Sequence, residues 1–111
     1  MFRNFFSKPA VAEVTPEETR AKQQAGAVIV DVREQNELRE GYIPGAVHIP
    51  LGSLSRRMKE LDPSKEIVLV CRSGNRSITA AQFLQQGGFP QVSSMTGGMI
   101  SWARQRFPVQ R

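Results

Sequence analysis

Two stretches of this chain are apolar without interruption. Ala27-Val28-Ile29-Val30 and Ile67-Val68-Leu69-Val70 have the pattern of short strands covered on both faces. Val11 to Val14 alternates as a shorter strand does, and Ala46-Val47-His48-Ile49 forms another, stopped by Pro50. Between these runs the period lengthens. Thr15-Pro16-Glu17-Glu18 marks a helix start, with Thr15 as N-cap, Pro16 at the first helical position and Glu18 closing a capping box. That helix is expected to stop near Gly26. Glu34 to Glu40 is polar and short, one or two helical turns on the surface. From Ser53 to Leu61, Leu54, Met58 and Leu61 give one apolar stripe, with Arg56, Arg57 and Lys59 on the solvated side. A helix from about Ile78 to Gln86 carries Ala80, Ala81, Phe83 and Leu84 on its buried side, and Gly87-Gly88 ends it. Val92 to Met95 is a last strand, Gly97-Gly98 a turn, and Met99 to Arg106 a final helix containing Trp102.

Strands alternating with helices predict an α/β layered fold with a largely parallel sheet. In such sheets ligands bind outside the carboxyl ends of the strands. Asp31 and Cys71 each close an apolar strand, so both are expected on that edge.

Length and composition narrow the picture. A chain of 111 residues, 40% hydrophobic and 23% charged, is the size of one compact domain with one core. Residues 1–9 read as a flexible extension, whose Phe2, Phe5 and Phe6 are either a loose tail or a docking element, and residues 10–111 as the domain. The net charge of +5 comes from scattered Lys and Arg rather than a block. With one Tyr and one Trp, the interleaved basic and aromatic pattern of a nucleic-acid binder is absent, and a mild attraction for small anions remains. No apolar run reaches membrane-span length, and the start of the chain lacks the apolar core of a signal peptide. A single cysteine makes no internal disulfide, so a reducing compartment, the cytoplasm, is expected.

That cysteine carries the candidate chemistry. Cys71-Arg72-Ser73-Gly74-Asn75-Arg76-Ser77 lies at a strand-to-helix turn. Such a turn points backbone N–H groups inward and aims the positive end of a helix at what the cysteine holds. The amide dipoles and the charges of Arg72 and Arg76 are expected to favour the thiolate. A lone cysteine at a strand end is usually a small buried hydrophobe. Arg-Ser-Gly-Asn-Arg, however, is poor core material and good anion-binding material. Cys71 is therefore the candidate nucleophile, and Cys71 to Arg76 its anion cradle.

Three segments together resemble the single-domain rhodaneses, thiosulfate or persulfide sulfurtransferases. They are Asp31-Val32-Arg33 with Glu37 and Gly41-Tyr42-Ile43-Pro44-Gly45-Ala46-Val47-His48-Ile49-Pro50, the Cys71–Ser77 loop, and Gly97-Gly98-Met99-Ile100-Ser101-Trp102. One departure is Tyr42, where the family often has His at a position that is not catalytic. The resemblance implies a three-layer rhodanese-like fold, a five-stranded mainly parallel sheet with helices on both faces. It implies that Cys71 takes a sulfane sulfur from thiosulfate or a persulfide donor and holds it as a persulfide. The acceptor would be cyanide or a thiol, including a thioredoxin-like protein. Arg72, Ser73, Gly74, Asn75 and Arg76 would surround the outer sulfur with their amides, and Ser77 would cap the helix that follows. No cofactor or metal is expected.

Other readings stand beside this one. Cysteine phosphatases and arsenate reductases of related architecture place an arginine after five intervening residues; here four separate Cys71 from Arg76. A rhodanese-like module without turnover is the remaining alternative. His48 invites a Cys–His dyad, but nothing marks an orienting third group, and a packed or hydrogen-bonded structural role is expected. Asp31 either pairs with an arginine of the loop and holds its shape, or caps the short helix after it with Arg33 solvated. Trp102 is read as core or rim packing.

Overall fold

The computed structural model describes residues 10–111; the Phe2, Phe5 and Phe6 segment lies outside them. Five parallel strands form one sheet: β1 (Ala12–Val14), β2 (Val28–Asp31), β3 (Val47–His48), β4 (Ile67–Val70) and β5 (Val92–Met95), in the spatial order β1-β5-β4-β2-β3. The helices are α1 (Pro16–Gln24), α2 (Leu54–Arg57), α3 (Asn75–Gln86) and α4 (Gly98–Arg104). From β2 the chain moves outward to β3, and from β4 it moves the other way to β5. The sheet therefore switches direction between β2 and β4, the place where open parallel sheets bind ligands.

All four residues of β4 are buried because helices cover both faces of the sheet. Alternation sorts them. Ile67 and Leu69 join Val30, Val32, Leu54, Ala80, Ala81 and Leu84 on the face of α2 and α3. Val68 and Val70 join Ile29, Met95, Met99 and Trp102 on the face of α4, against which α1 packs. Each fully buried Val, Leu or Ile contributes roughly 2 kcal/mol, so two independent half-cores hold the sheet. Trp102 belongs to the second: its indole N–H donates to the Pro108 carbonyl at 2.9 Å, and Phe107 meets its ring edge-on at 5.1 Å.

α1 begins as its sequence dictates. Thr15 accepts from the Glu18 amide at 3.0 Å and Glu18 accepts from the Thr15 amide at 2.8 Å. Elsewhere the boundaries differ from expectation. The stretch from Ser53 to Leu61 is no continuous helix: only Leu54–Arg57 is α-helical, between 3-10 turns at Leu51–Ser53 and Met58–Glu60, although Leu54 and Leu61 are buried as the stripe required. Val47–His48 is a two-residue edge strand, shorter than its apolar run, although the Ile49 N–H still donates to the Asp31 carbonyl and the Leu51 N–H to the Val32 carbonyl, each at 3.0 Å. α3 starts at Asn75, three residues earlier than the apolar spacing indicated, and Phe83 is 38% exposed rather than on the buried side. Ser77, Ala80, Ala81 and Leu84 line the buried stripe instead, so the small residue Ser77 sets the helix phase.

Candidate active site

Alternation along β4 continues one residue past its end. Cys71 follows Ile67 and Leu69 onto the α3 face and is 1% exposed. The turn then folds back over the sulfur. Gly74 has φ +106°, a left-handed conformation that side chains resist, and a Cβ there would stand 3.2 Å from the Gly97 amide nitrogen. With Gly74 in that conformation its N–H donates to Cys71 Sγ at 3.1 Å, and the Ser77 N–H donates at 3.3 Å. Gly74 is also the N-cap of α3, which places Ser77 in the first turn and not at the cap. A cap role for Ser77 is thereby corrected. Its hydroxyl turns inward instead, 3.4 Å from Sγ, 3.2 Å from the Gly74 carbonyl and 2.7 Å from the hydroxyl of Ser94 on β5.

The far side of the loop is fixed by α4. The Met99 N–H donates to the Cys71 carbonyl at 2.9 Å and the Ile100 N–H to the Arg72 carbonyl at 3.1 Å. Gly98 permits that approach: a Cβ on it would overlap the backbone of Cys71 and Arg72, and its φ is +58°. The paired glycines of the carboxyl-terminal motif thus serve as the seat of the cysteine loop. Arg72, Ser73 and Asn75 project to solvent, and the sulfur takes hydrogen bonds from the Gly74 and Ser77 amides.

Asp31 does neither of the things expected of it. It is bonded to Arg33, whose Nε donates to Oδ1 at 3.0 Å and whose terminal nitrogen donates to Oδ2 at 2.8 Å. Neither partner is solvated: Arg33 is 1% exposed and Asp31 2%. Two of the three remaining guanidinium protons reach the Gly41 carbonyl at 2.9 Å and the Glu37 carbonyl at 3.4 Å, so four of the five guanidinium protons are bonded. The N-cap of the 3-10 segment Gln35–Glu40 is Glu34 rather than Asp31. His48 Nε2 lies 2.7 Å from the Arg33 carbonyl and serves the same framework.

The partner of the loop arginine is Glu37. Both Arg76 terminal nitrogens donate to its carboxylate, each at 2.7 Å. That pair of hydrogen bonds from the guanidinium draws the Glu37 carboxyl down from 4.5 to about 2, against a smaller upward push from burial. Arg76 is raised in turn, chiefly by the same bond to Glu37. Arg72 and Glu40 make a looser contact at 3.5 Å, both more than half exposed. Glu37 stood in the sequence motif without a role, because a glutamate in a polar surface turn gives no hint of a partner 39 residues away. Ser94 left a clearer trace: Val92-Ser93-Ser94-Met95 sets two hydroxyls in a strand that is otherwise core. An open cleft of about 830 Å³ lies on the other side, between the 3-10 segment and β3, lined by Asp31, Leu38, Arg39, Tyr42, His48 and Arg111. Cys71 does not line it, and Arg72 and Arg33 border a smaller one of about 180 Å³.

Comparison with known proteins agrees with this architecture. The profile of the Rhodanese-like domain matches residues 15–105. A protein named sulfurtransferase from Allochromatium vinosum is 38% identical over 74% of this chain and 77% of its own. Thiosulfate sulfurtransferase GlpE of Pseudomonas syringae is also 38% identical, over 80% of this chain and 84% of its own. The crystal structure of a rhodanese-related protein from Thermoplasma volcanium has a TM-score of 0.83 and 31% identity, covering 89% of this chain and 97% of that one. Since the profile runs from the first turn of α1 to the end of α4, taking in both the ion-paired framework and the cysteine turn, this chain belongs to the rhodanese-like domain family.

Proposed function

We propose that this protein is a sulfurtransferase that carries a sulfane sulfur on Cys71. The observation that supports it best is the sulfur atom at the focus of the Gly74 and Ser77 amides, in the first turn of α3. Two N–H donors and a helix start favour negative charge on sulfur without a separate base. In the first half-reaction the Cys71 thiolate attacks the outer sulfur of thiosulfate. The S–S bond of thiosulfate breaks, and sulfite leaves with the bonding pair. In the second, a thiol or cyanide attacks the outer sulfur of the Cys71 persulfide, and the thiolate departs with its electron pair restored. Each step moves one sulfur through one covalent intermediate. Thiosulfate as donor is favoured by the name of the Pseudomonas syringae relative, and the exposed Arg72 is a cation for such an anion to meet. The cytoplasm is the compartment we assign, since an unpaired catalytic thiol needs reducing surroundings.

Two features weigh against a phosphatase. Only four residues separate Cys71 from Arg76, and both terminal nitrogens of the Arg76 guanidinium are engaged by the Glu37 carboxylate. Inserting one residue in the loop is expected to raise activity on aryl phosphates; a folded variant without that gain would show that loop length does not discriminate. The decisive experiment is intact mass. Incubation with thiosulfate is expected to add one sulfur atom and cyanide to remove it, while Cys71→Ser gains nothing. An unchanged mass of the wild-type protein would instead mean a module without turnover.

A further inference from the structure

We infer that Ser94 is a positioning residue for the Cys71 sulfur, acting through the hydroxyl of Ser77. The inference rests on Cys71 as the sulfur carrier and adds to that reading a residue of β5. Ser77 and Ser94 are both buried, at 0% and 1% exposure. A serine hydroxyl has one proton to give and two acceptor sites. Around Ser77 Oγ stand the Gly74 carbonyl, which only accepts, the Ser94 hydroxyl, and Sγ. Proton counting decides the direction of the 2.7 Å contact. Among the described residues Ser94 Oγ has Ser77 Oγ as its hydrogen-bond partner and no other. If Ser77 donated to it, the Ser94 proton would have no protein acceptor at a site only 1% exposed, the costly arrangement. Ser94 therefore donates and Ser77 accepts. The Ser77 proton is left free.

The sulfur uses that freedom. As a thiol, Cys71 donates to Ser77 Oγ while the Ser77 proton points at the Gly74 carbonyl. As a thiolate the sulfur only accepts, and the Ser77 proton swings to it while Ser94 keeps the oxygen in place. Three groups then run in one direction, from Ser94 to Ser77 to sulfur, each bond polarising the next. Negative charge sits on Cys71 when it attacks the donor and again when the acceptor withdraws the outer sulfur, so the chain serves both halves of the reaction. The charged groups around the loop are Arg72 and Arg76, engaged by Glu40 and Glu37, with Arg33 and Glu34 close enough to act on the Glu37–Arg76 pair. None of them hydrogen-bonds Sγ, Ser77 or Ser94 through its side chain. Ser93 is the internal contrast: also buried, it faces the opposite side of the sheet, and among the described residues its hydroxyl has no partner.

The test is the pH profile of Cys71 alkylation by iodoacetamide, which needs no sulfur transfer. Ser94→Ala is expected to move the profile toward higher pH and slow alkylation at neutral pH by about three- to tenfold, the scale of one weakened hydrogen bond to a charge. Ser93→Ala is expected to leave it unchanged, and Ser94→Ala to add nothing once Ser77→Ala is present. Should the alanine variant not fold, Ser94→Thr and Ser94→Val make the same comparison at constant shape, with the wild-type profile returning only for Thr. A wild-type profile in folded Ser94→Ala overturns the proposal. So does an equal shift in Ser93→Ala, or a Ser94 effect undiminished without Ser77. Loss of thiosulfate loading in the wild type would sink the carrier reading, whereas these profiles judge the hydroxyl chain alone.

Discussion

The segments that follow β4 and β2 leave the sheet side by side and solve different problems. After β4, Cys71 to Ser77 offers mainly backbone: two amides aimed at a sulfur, with the side chains of Arg72, Ser73 and Asn75 turned to water. From the last residue of β2 onward, Asp31 to Glu40 offers side chains: a buried ion pair, then a carboxylate that reaches across to Arg76. Asp31 holds Arg33, Arg33 holds the Glu37 carbonyl, and the Glu37 carboxylate holds the first turn of α3. A site built from amides cannot adjust its own donors, because they are tied to backbone conformation. Its rigidity is supplied by the neighbouring segment, through ion pairs, and from beneath by α4.

Breaking the supports should rank them. Asp31→Ala leaves the Arg33 guanidinium buried and unpaired, and is expected to cost about 3–5 kcal/mol in urea unfolding. A loss below about 1 kcal/mol would mean that water or another carboxylate replaces Asp31. Gly98→Ala drives a methyl into the backbone of Cys71 and Arg72 and is expected to cost about 3 kcal/mol. Thiosulfate loading should fall with it, because relief of the overlap must displace either α4 or the loop.

Glu37→Gln comes next. The pair with Arg76 is bidentate but partly exposed, 19% for Glu37 and 37% for Arg76, so about 1 kcal/mol is expected. Its signature is the pH dependence. The folded-state carboxyl is held down at about 2 against an ordinary 4.5, so its contribution is complete above about 4.5 and is lost as pH falls toward 2. The stability difference between wild type and Glu37→Gln should close over that window; a gap constant from pH 7 to 2 would assign it to packing. Glu40→Gln is expected to change stability by less than about 0.5 kcal/mol, as its 3.5 Å contact with Arg72 is exposed on both sides. A larger loss would move Glu40 into the framework with Glu37.

Much of this molecule was legible in its residues. Uninterrupted apolar runs located β2 and β4, because strands covered on both faces have no polar face to alternate. The capping box fixed the start of α1 through contacts three residues apart. Cys71 stood out because arginines, serine, glycine and asparagine after an apolar strand make no core. These are local signals, written within one turn of chain. The partners of charged groups are not local. Asp31 is two residues from Arg33 and 45 from Arg76, and either pairing is compatible with the sequence; only the packing of Val32 into the core turns Arg33 inward to meet it. Likewise Glu37 meets Arg76, Ser94 meets Ser77, and Gly98 passes beneath Cys71 because the sheet brings β2, β4 and β5 together. Hydrophobic period and capping chemistry set which strands and helices form, whereas the donors and charges around the sulfur were assigned by contacts between residues far apart in the chain, which exist only once the sheet has closed.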